Sequence, residues 1–208
     1  MNTPNEFAQI MHCKKCTLAT SKKLLRDQLE NIPQPGFIGQ NYNRKRIVLA
    51  GQNPGVCPPA YAKIDSKYTS ALRAVRDTPN QETMGSLYRV LLHTVPGWKV
   101  GDYFPLNECR LSLEEIAYFN IVRCRTMKNS IPGQFVVRNC LTHFENWLLM
   151  LRPSVVIFIG KWAFDKAGHI PKQHNIPCDF MNRERSLSTA ARKENRHRVE
   201  TLVRSIIG

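Results

Sequence analysis

The residues of this chain best suited to chemistry are a set of cysteines and one asparagine-bearing turn. Cys13-Lys-Lys-Cys16 brings two thiols together in a single turn, and Cys124 and Cys140 stand sixteen positions apart further along. Four thiolates drawn from such positions can hold zinc or an iron–sulfur cluster. Either group needs soft anionic donors, and Lys14, Lys15, Arg123 and Arg125 place positive charge beside them. Spacing alone does not separate zinc from iron, and thiols that bind no metal fit the same residues. The second candidate is Gly51-Gln-Asn-Pro-Gly55. Its composition suits a tight turn, and a turn that follows a buried strand is also where ligands are held.

These residues need elements to position them. Arg46–Ala50 is a short apolar run that empties into Gly51, as a buried strand does. Ser154–Ile159 repeats the pattern, ends at Gly160 and is followed by a helix-like stretch from Lys161 to Lys166. Ala117–Val122 and Pro177–Met181 are two further strand candidates. Apolar residues at three-to-four spacing predict helices over Tyr68–Val75, Gly85–His93, Gln134–Leu151 and Ala190–Ile207. Strands alternating with helices predict an α/β fold, a three-layer α/β/α sandwich around a central, mainly parallel four-stranded sheet. One domain over residues 1–208 is expected. Asn31–Asn43 reads as a loop, and Arg76–Thr83 and Pro96–Leu111 read as surface connections.

Charge narrows the partner. Thirty Lys and Arg against sixteen Asp and Glu give a net +14, concentrated at Lys14–Lys23, Arg44–Arg46 and Arg183–Arg204. An excess of this size points to a polyanion, nucleic acid foremost, with a merely solvated surface as the bland alternative. No stretch approaches the ~18 apolar residues of a membrane span, and no amphipathic anchor stands out, so no membrane partner is expected. Met1–Met11 is too polar and acidic for a signal peptide, which predicts a cytoplasmic protein. Seven cysteines in that compartment speak against a disulfide framework.

In order along the chain stand Cys13-x-x-Cys16-x-Leu18, Ile47-Val-Leu-Ala-Gly-Gln-Asn-Pro-Gly55, Phe119-Asn-Ile-Val-Arg-Cys-Arg125, Cys140 and Ile157-Phe-Ile-Gly-Lys-Trp-Ala163. That joint order resembles the family 4 uracil-DNA glycosylases, over roughly residues 11–205. The resemblance implies a [4Fe–4S] cluster on Cys13, Cys16, Cys124 and Cys140, structural in role and near a DNA-binding face, with Cys57, Cys109 and Cys178 as ordinary thiols. It also implies that Gly51, Gln52 and Gly55 line a base pocket. Asn53 would orient water there, and Asn120 would read the base with its amide, which both donates and accepts. Tyr61 or Tyr68 would stack on the base. The first loop departs from the family form and is closer to mismatch-specific and single-strand-selective uracil glycosylases, which also carry Asn where Asn53 stands. An amide orients water but cannot stabilise cationic character as a carboxylate does, so slow turnover is expected. The small Gly55 predicts room for a substituent at the pyrimidine 5-position.

The superfamily's His-Pro-Ser motif is missing. Arg183-Glu-Arg-Ser-Leu-Ser188 occupies its expected place, with Arg183 where the histidine would stand and Leu187 as the wedge that fills the vacated stack. Arg183, Arg185, Ser186, Leu187, Ser188 and Lys161 are the expected DNA contacts. The expectation is therefore a monomeric, monofunctional DNA glycosylase acting on uracil or a related modified pyrimidine. A catalytically weak or inactive DNA- or base-binding protein on the same scaffold is the first alternative, and a zinc-dependent nucleic-acid-binding module the more distant one.

Overall fold

The computed structural model describes residues 3–16, 24, 32–57, 59–94, 106–107, 110–183 and 187–207. The chain divides into two compact units that alternate along the sequence. The first comprises Met1–Pro35, Asn53–Thr94 and Val122–His143, and the second Gly36–Gln52, Val95–Ile121 and Phe144–Gly208.

The second unit is built on a sheet. Its strands are β1 (Phe37–Ile38), β2 (Ile47–Gly51), β3 (Ile116–Asn120), β4 (Val155–Ile159) and β5 (Cys178–Met181), in the order β1-β3-β2-β4-β5. β3, β2, β4 and β5 run parallel, and β1 pairs antiparallel with β3. Every residue of β2, β3 and β4 is buried, so both faces of the sheet are covered. Such strands read as continuous apolar runs, and their β-branched and aromatic residues suit the pleated surface. The α/β class agrees with the sequence reading. Among the described residues, however, the sheet has five strands where four were expected. The extra one lies inside Asn31–Asn43, and two residues are too few to show a period. Gly36 admits it: its φ is 107°, and a side chain there would run into the Tyr118 carbonyl at 2.6 Å.

One face of this sheet is aromatic. Helix α4 (Gln134–Leu151) supplies Phe144 and Trp147, whose ring centroids lie 5.5 and 5.4 Å from Phe119 of β3. Phe158 of β4 lies 5.6 Å from Phe164 of α5 (Lys161–Ala167), which in turn lies 5.3 Å from Phe180 of β5. A short helix, α6 (His169–Gln173), follows, and α7 (Thr189–Ile207) packs on β4 and β5, burying Val199 and Val203.

Helices make up the regular structure of the first unit. α1 (Thr3–Met11) packs on α2 (Ala62–Asp77), which packs on α3 (Gln81–Thr94). α2 buries Asp65, Tyr68, Thr69, Ala71, Leu72 and Val75, a stripe at helical spacing. Between α2 and α3 the connection is shorter than Arg76–Thr83, because α2 runs on to Asp77 and α3 begins at Gln81. Asn80 caps α3: its Oδ1 accepts from Thr83 N at 2.9 Å, while Thr83 Oγ1 accepts from Asn80 N at 3.2 Å. The first ten residues of α4, through His143, belong to this unit. No helix among the described residues is long and apolar enough to cross a membrane.

Candidate functional site

The carboxyl ends of the parallel strands gather one group of candidate residues in the second unit, where ligands sit in open parallel sheets. β2 and β3 end in register, with Gly51 opposite Asn120. The Asn120 amide is buried, and Tyr118 Oη donates to its Oδ1 at 3.3 Å. A side chain at position 51 would collide with that same oxygen, so glycine is what gives Asn120 its place. Past the end of β2, Gln52 Oε1 accepts from Arg183 Nη2 at 2.8 Å. Arg183 follows β5, and to reach Gln52 it crosses Gly160 at the end of β4; a Cβ there would lie 3.5 Å from Arg183 Nε. Gly160 has a φ of 96°, which excludes most side chains as well.

Asn195, absent from the sequence reading, holds this edge. Asn195 of α7 accepts from Asn182 N at 2.8 Å and donates to Asn182 O at 3.0 Å, fixing the backbone next to Arg183. Ser188 stands just ahead of α7, its Oγ accepting from Ala191 N at 3.3 Å and its carbonyl from Arg192 N at 2.9 Å. Leu187 is half-buried, and Lys161 is exposed, with Nζ 2.7 Å from Asp165 Oδ1 one turn on. Arg185 and Ser186 lie outside the described residues. Along α7, Arg192, Lys193 and Arg198 are exposed.

Asn53 belongs to the first unit, and its amide orientation follows from its neighbours. Nδ2 donates to Pro54 O and to Thr126 Oγ1, both at 3.1 Å, and Thr126 Oγ1 donates onward to Ser130 O at 2.6 Å. With both amide protons committed, Oδ1 is the atom that presents an acceptor to water. Asn129 Oδ1 accepts from Val56 N at 2.6 Å, closing the same loop. Gly55 is exposed, and a Cβ there would meet Asn129 Oδ1 only at an ordinary 3.4 Å, so packing does not dictate a small residue. Tyr68 is 1% exposed, with Oη 3.4 Å from Gln34 Oε1, whereas Tyr61, just before α2, keeps 37% of its surface. Of the two tyrosines, Tyr61 is the more exposed. Thr126, Asn129 and Ser130 left no sequence signal beyond that of an ordinary polar turn.

All four cysteines of interest also fall in the first unit. Cys16, Cys124 and Cys140 are buried, and Cys13 is half-buried. Asn139 Nδ2 lies 3.4 Å from Cys16 Sγ, His143 Nε2 lies 3.3 Å from Cys13 Sγ, and the Arg123 backbone N–H donates to the Cys140 thiol. Burial pushes the Cys140 thiol up to about 11, with Arg123 pulling it down and Cys16 and Cys13 adding to the rise. Arg123 is wholly buried, and its Nη1 donates to Pro35 O at 2.6 Å. Burial lowers this guanidinium to about 10 against the opposing influence of Cys140 and Tyr68. Burial, then the charges of Lys15 and Arg123, lower His143 to about 4.

Next to Cys124, Arg125 forms a bidentate ion pair with Asp65 of α2, Nη1 to Oδ2 at 2.7 Å and Nη2 to Oδ1. Burial alone would lower Arg125, but the Asp65 hydrogen bonds and charge more than offset it and the net shift is upward. Among the described residues no three His, Cys, Asp or Glu side chains stand at ready-made metal-holding spacing. The donor chemistry nevertheless suits a thiolate-ligated group: N–H donors directed at sulfur and a buried cation beside it are what anionic sulfur needs. Asn139 and His143 stand four positions apart on α4, on either side of Cys140, so both fall on the same stretch of helix as that thiol.

No protein-family model matches the chain, and no curated protein matches it.

Proposed function

We propose that this chain is a monofunctional DNA glycosylase that removes uracil, or a pyrimidine modified at the 5-position, on the uracil-DNA glycosylase scaffold. The observation that carries the reading is the gathering of Gly51, Gln52, Asn120 and Arg183 at the carboxyl ends of three parallel strands. A base reader, an anion-binding cation and a close-approach glycine in one place suit excision of a flipped base.

In the reaction, water adds to the sugar C1′ as the bond to the base nitrogen breaks; the electron pair leaves with the base, and the proton shed by the water passes through solvent to the base anion. Asn53 Oδ1 accepts a hydrogen bond from that water. Its amide cannot stabilise the cationic sugar, which makes a slow enzyme. Asn120 pairs with the base edge, its Oδ1 already oriented by Tyr118. Arg183, steadied by Gln52, stabilises the departing anion in the role a histidine would otherwise fill. Tyr61 is the preferred stacking residue, Leu187 the wedge, and Lys161, Arg185, Ser186 and Ser188 contact the DNA backbone.

Cys13, Cys16, Cys124 and Cys140 would hold a [4Fe–4S] cluster, whose contribution is to tie distant chain segments together rather than to act on the base. The net charge of +14 supports DNA as the partner. The protein acts as a monomer in the cytoplasm.

The test is release of free base from single- and double-stranded oligonucleotides carrying uracil or 5-substituted uracils. Slow release is expected, reduced about a hundredfold by Asn53→Ala, the scale of loss when a reactant is mispositioned. No release from any substrate by cluster-loaded protein overturns the proposal. One feature favours a second reading: an exposed guanidinium at the strand ends also suits a phosphate. Tight, salt-sensitive DNA binding without turnover would establish a recognition protein instead.

A further inference from the structure

This inference rests on the cluster reading above and concerns the helix that supplies the fourth cysteine. α4 carries Asn139, Cys140 and His143 on neighbouring turns, so the element that offers one thiol also reaches both members of the Cys13–Cys16 pair. Asn139 Nδ2 is 3.4 Å from Cys16 Sγ and 3.2 Å from the Lys15 carbonyl, which fixes the amide on the segment it serves. His143 Nε2 is 3.3 Å from Cys13 Sγ. A metal-bound thiolate has no proton to give, so in the loaded protein both contacts run one way, from N–H to sulfur.

We propose that Asn139 and His143 are positioning residues that hold Cys16 and Cys13 from α4 and, through N–H···S hydrogen bonds, stabilise the electron-rich state of the cluster. Adding an electron raises the negative charge on the cluster sulfurs, and a donor directed at sulfur draws part of that charge away. The two donors therefore raise the reduction potential, and they make the resting cluster harder to oxidise. Arg123, buried beside Cys140, adds to the same effect from another side.

The experiment uses the full chain, loaded anaerobically with iron and sulfide. Iron and sulfide content, visible absorbance and the one-electron reduction potential are measured for wild type, Asn139→Leu, His143→Leu and His143→Gln. Each leucine variant is expected to lower the potential by the equivalent of about a tenfold change in the redox equilibrium, 59 mV for one electron. Bleaching by ferricyanide should be severalfold faster at equal iron content. The glutamine variant restores an N–H and returns both readouts toward wild type.

A measurement on unmutated protein guards against variants that fail to load. In 15N-histidine-labelled wild type reduced with dithionite, pulsed electron paramagnetic resonance should show a histidine nitrogen coupled to the cluster spin. A wild type that takes up no iron and sulfide overturns the cluster reading, and this inference with it. A loaded wild type with no histidine coupling, or a potential indifferent to both leucine substitutions, overturns the inference alone.

Discussion

The two units of this protein are held together by different physics. In the sheet unit, β2, β3 and β4 are buried from end to end, and a line of rings from Trp147 to Phe180 packs one face. The cysteine unit has its own apolar helix contacts, but its loops are pinned by polar bonds across long sequence separations. Arg125 pairs with Asp65, Asn139 and His143 reach sulfur, and Arg123 is inside. Apolar burial is non-directional and tolerant, whereas a buried charge is stabilising only while its partner is present. The same kind of substitution should therefore do unequal damage in the two units.

The sharpest way to break the comparison is Asp65→Ala. Removing the carboxylate from a pair with side chains only about a tenth exposed should cost about 3–5 kcal/mol. Denaturant unfolding measures the loss, and hydrogen exchange should locate it in α2 and residues 122–130. A conservative change in the sheet unit should be milder. Phe158→Leu keeps the site apolar and should cost about 1–2 kcal/mol, with exchange rising in β4 and β2. If Phe158→Leu proves the more damaging, the contrast drawn here is wrong.

Thr126→Val sharpens the picture within the first unit. It removes the hydroxyl between Asn53 and Ser130 at a fully buried position, for about 1 kcal/mol in stability. With Asn53 released, base excision should fall further than stability does, which an assay at a temperature well below the melting point would reveal. Lys161→Ala should be the smallest effect. Its ion pair with Asp165 is solvent-exposed, so the stability change stays under about 0.5 kcal/mol, while DNA affinity should drop modestly and less so at high salt.

Legibility in the sequence follows the same divide. β2, β3 and β4 are readable because a strand buried on both faces is a nearly unbroken apolar run ending at a glycine or a turn, whereas β5, with Asp179 inside it and three of its four residues half-buried, gives a weaker signal. α4 is readable to the residue, since Pro132-Gly133 and Pro153 bracket it. The two-residue β1 carries no period, and α1, although it buries Phe7, Ala8, Ile10 and Met11 on one side, escapes notice because nine residues make a short run. At the candidate site, Gly51 is legible as the end of a strand, whereas Asn120 follows only from the family resemblance, since the apolar pattern of Ala117–Val122 runs two residues past the end of β3. Thr126, Asn129, Asn139 and Asn195 are not legible, because a short polar side chain that supports another residue looks in sequence like any solvated one. The Asp65–Arg125 pair, 60 positions apart, offers no local signature at all.

The cysteine unit is stitched from three separate stretches of chain, and this bears on how the protein is made. His143 meets Cys13 across 130 positions, a loop whose closure costs about 2 kcal/mol more entropy than a 15-residue loop would. During synthesis the amino-terminal thiols emerge from the ribosome long before their helical partner exists. Until α4 has been translated, the Cys13–Cys16 pair stands without Asn139 and His143, the side chains that later reach its sulfurs.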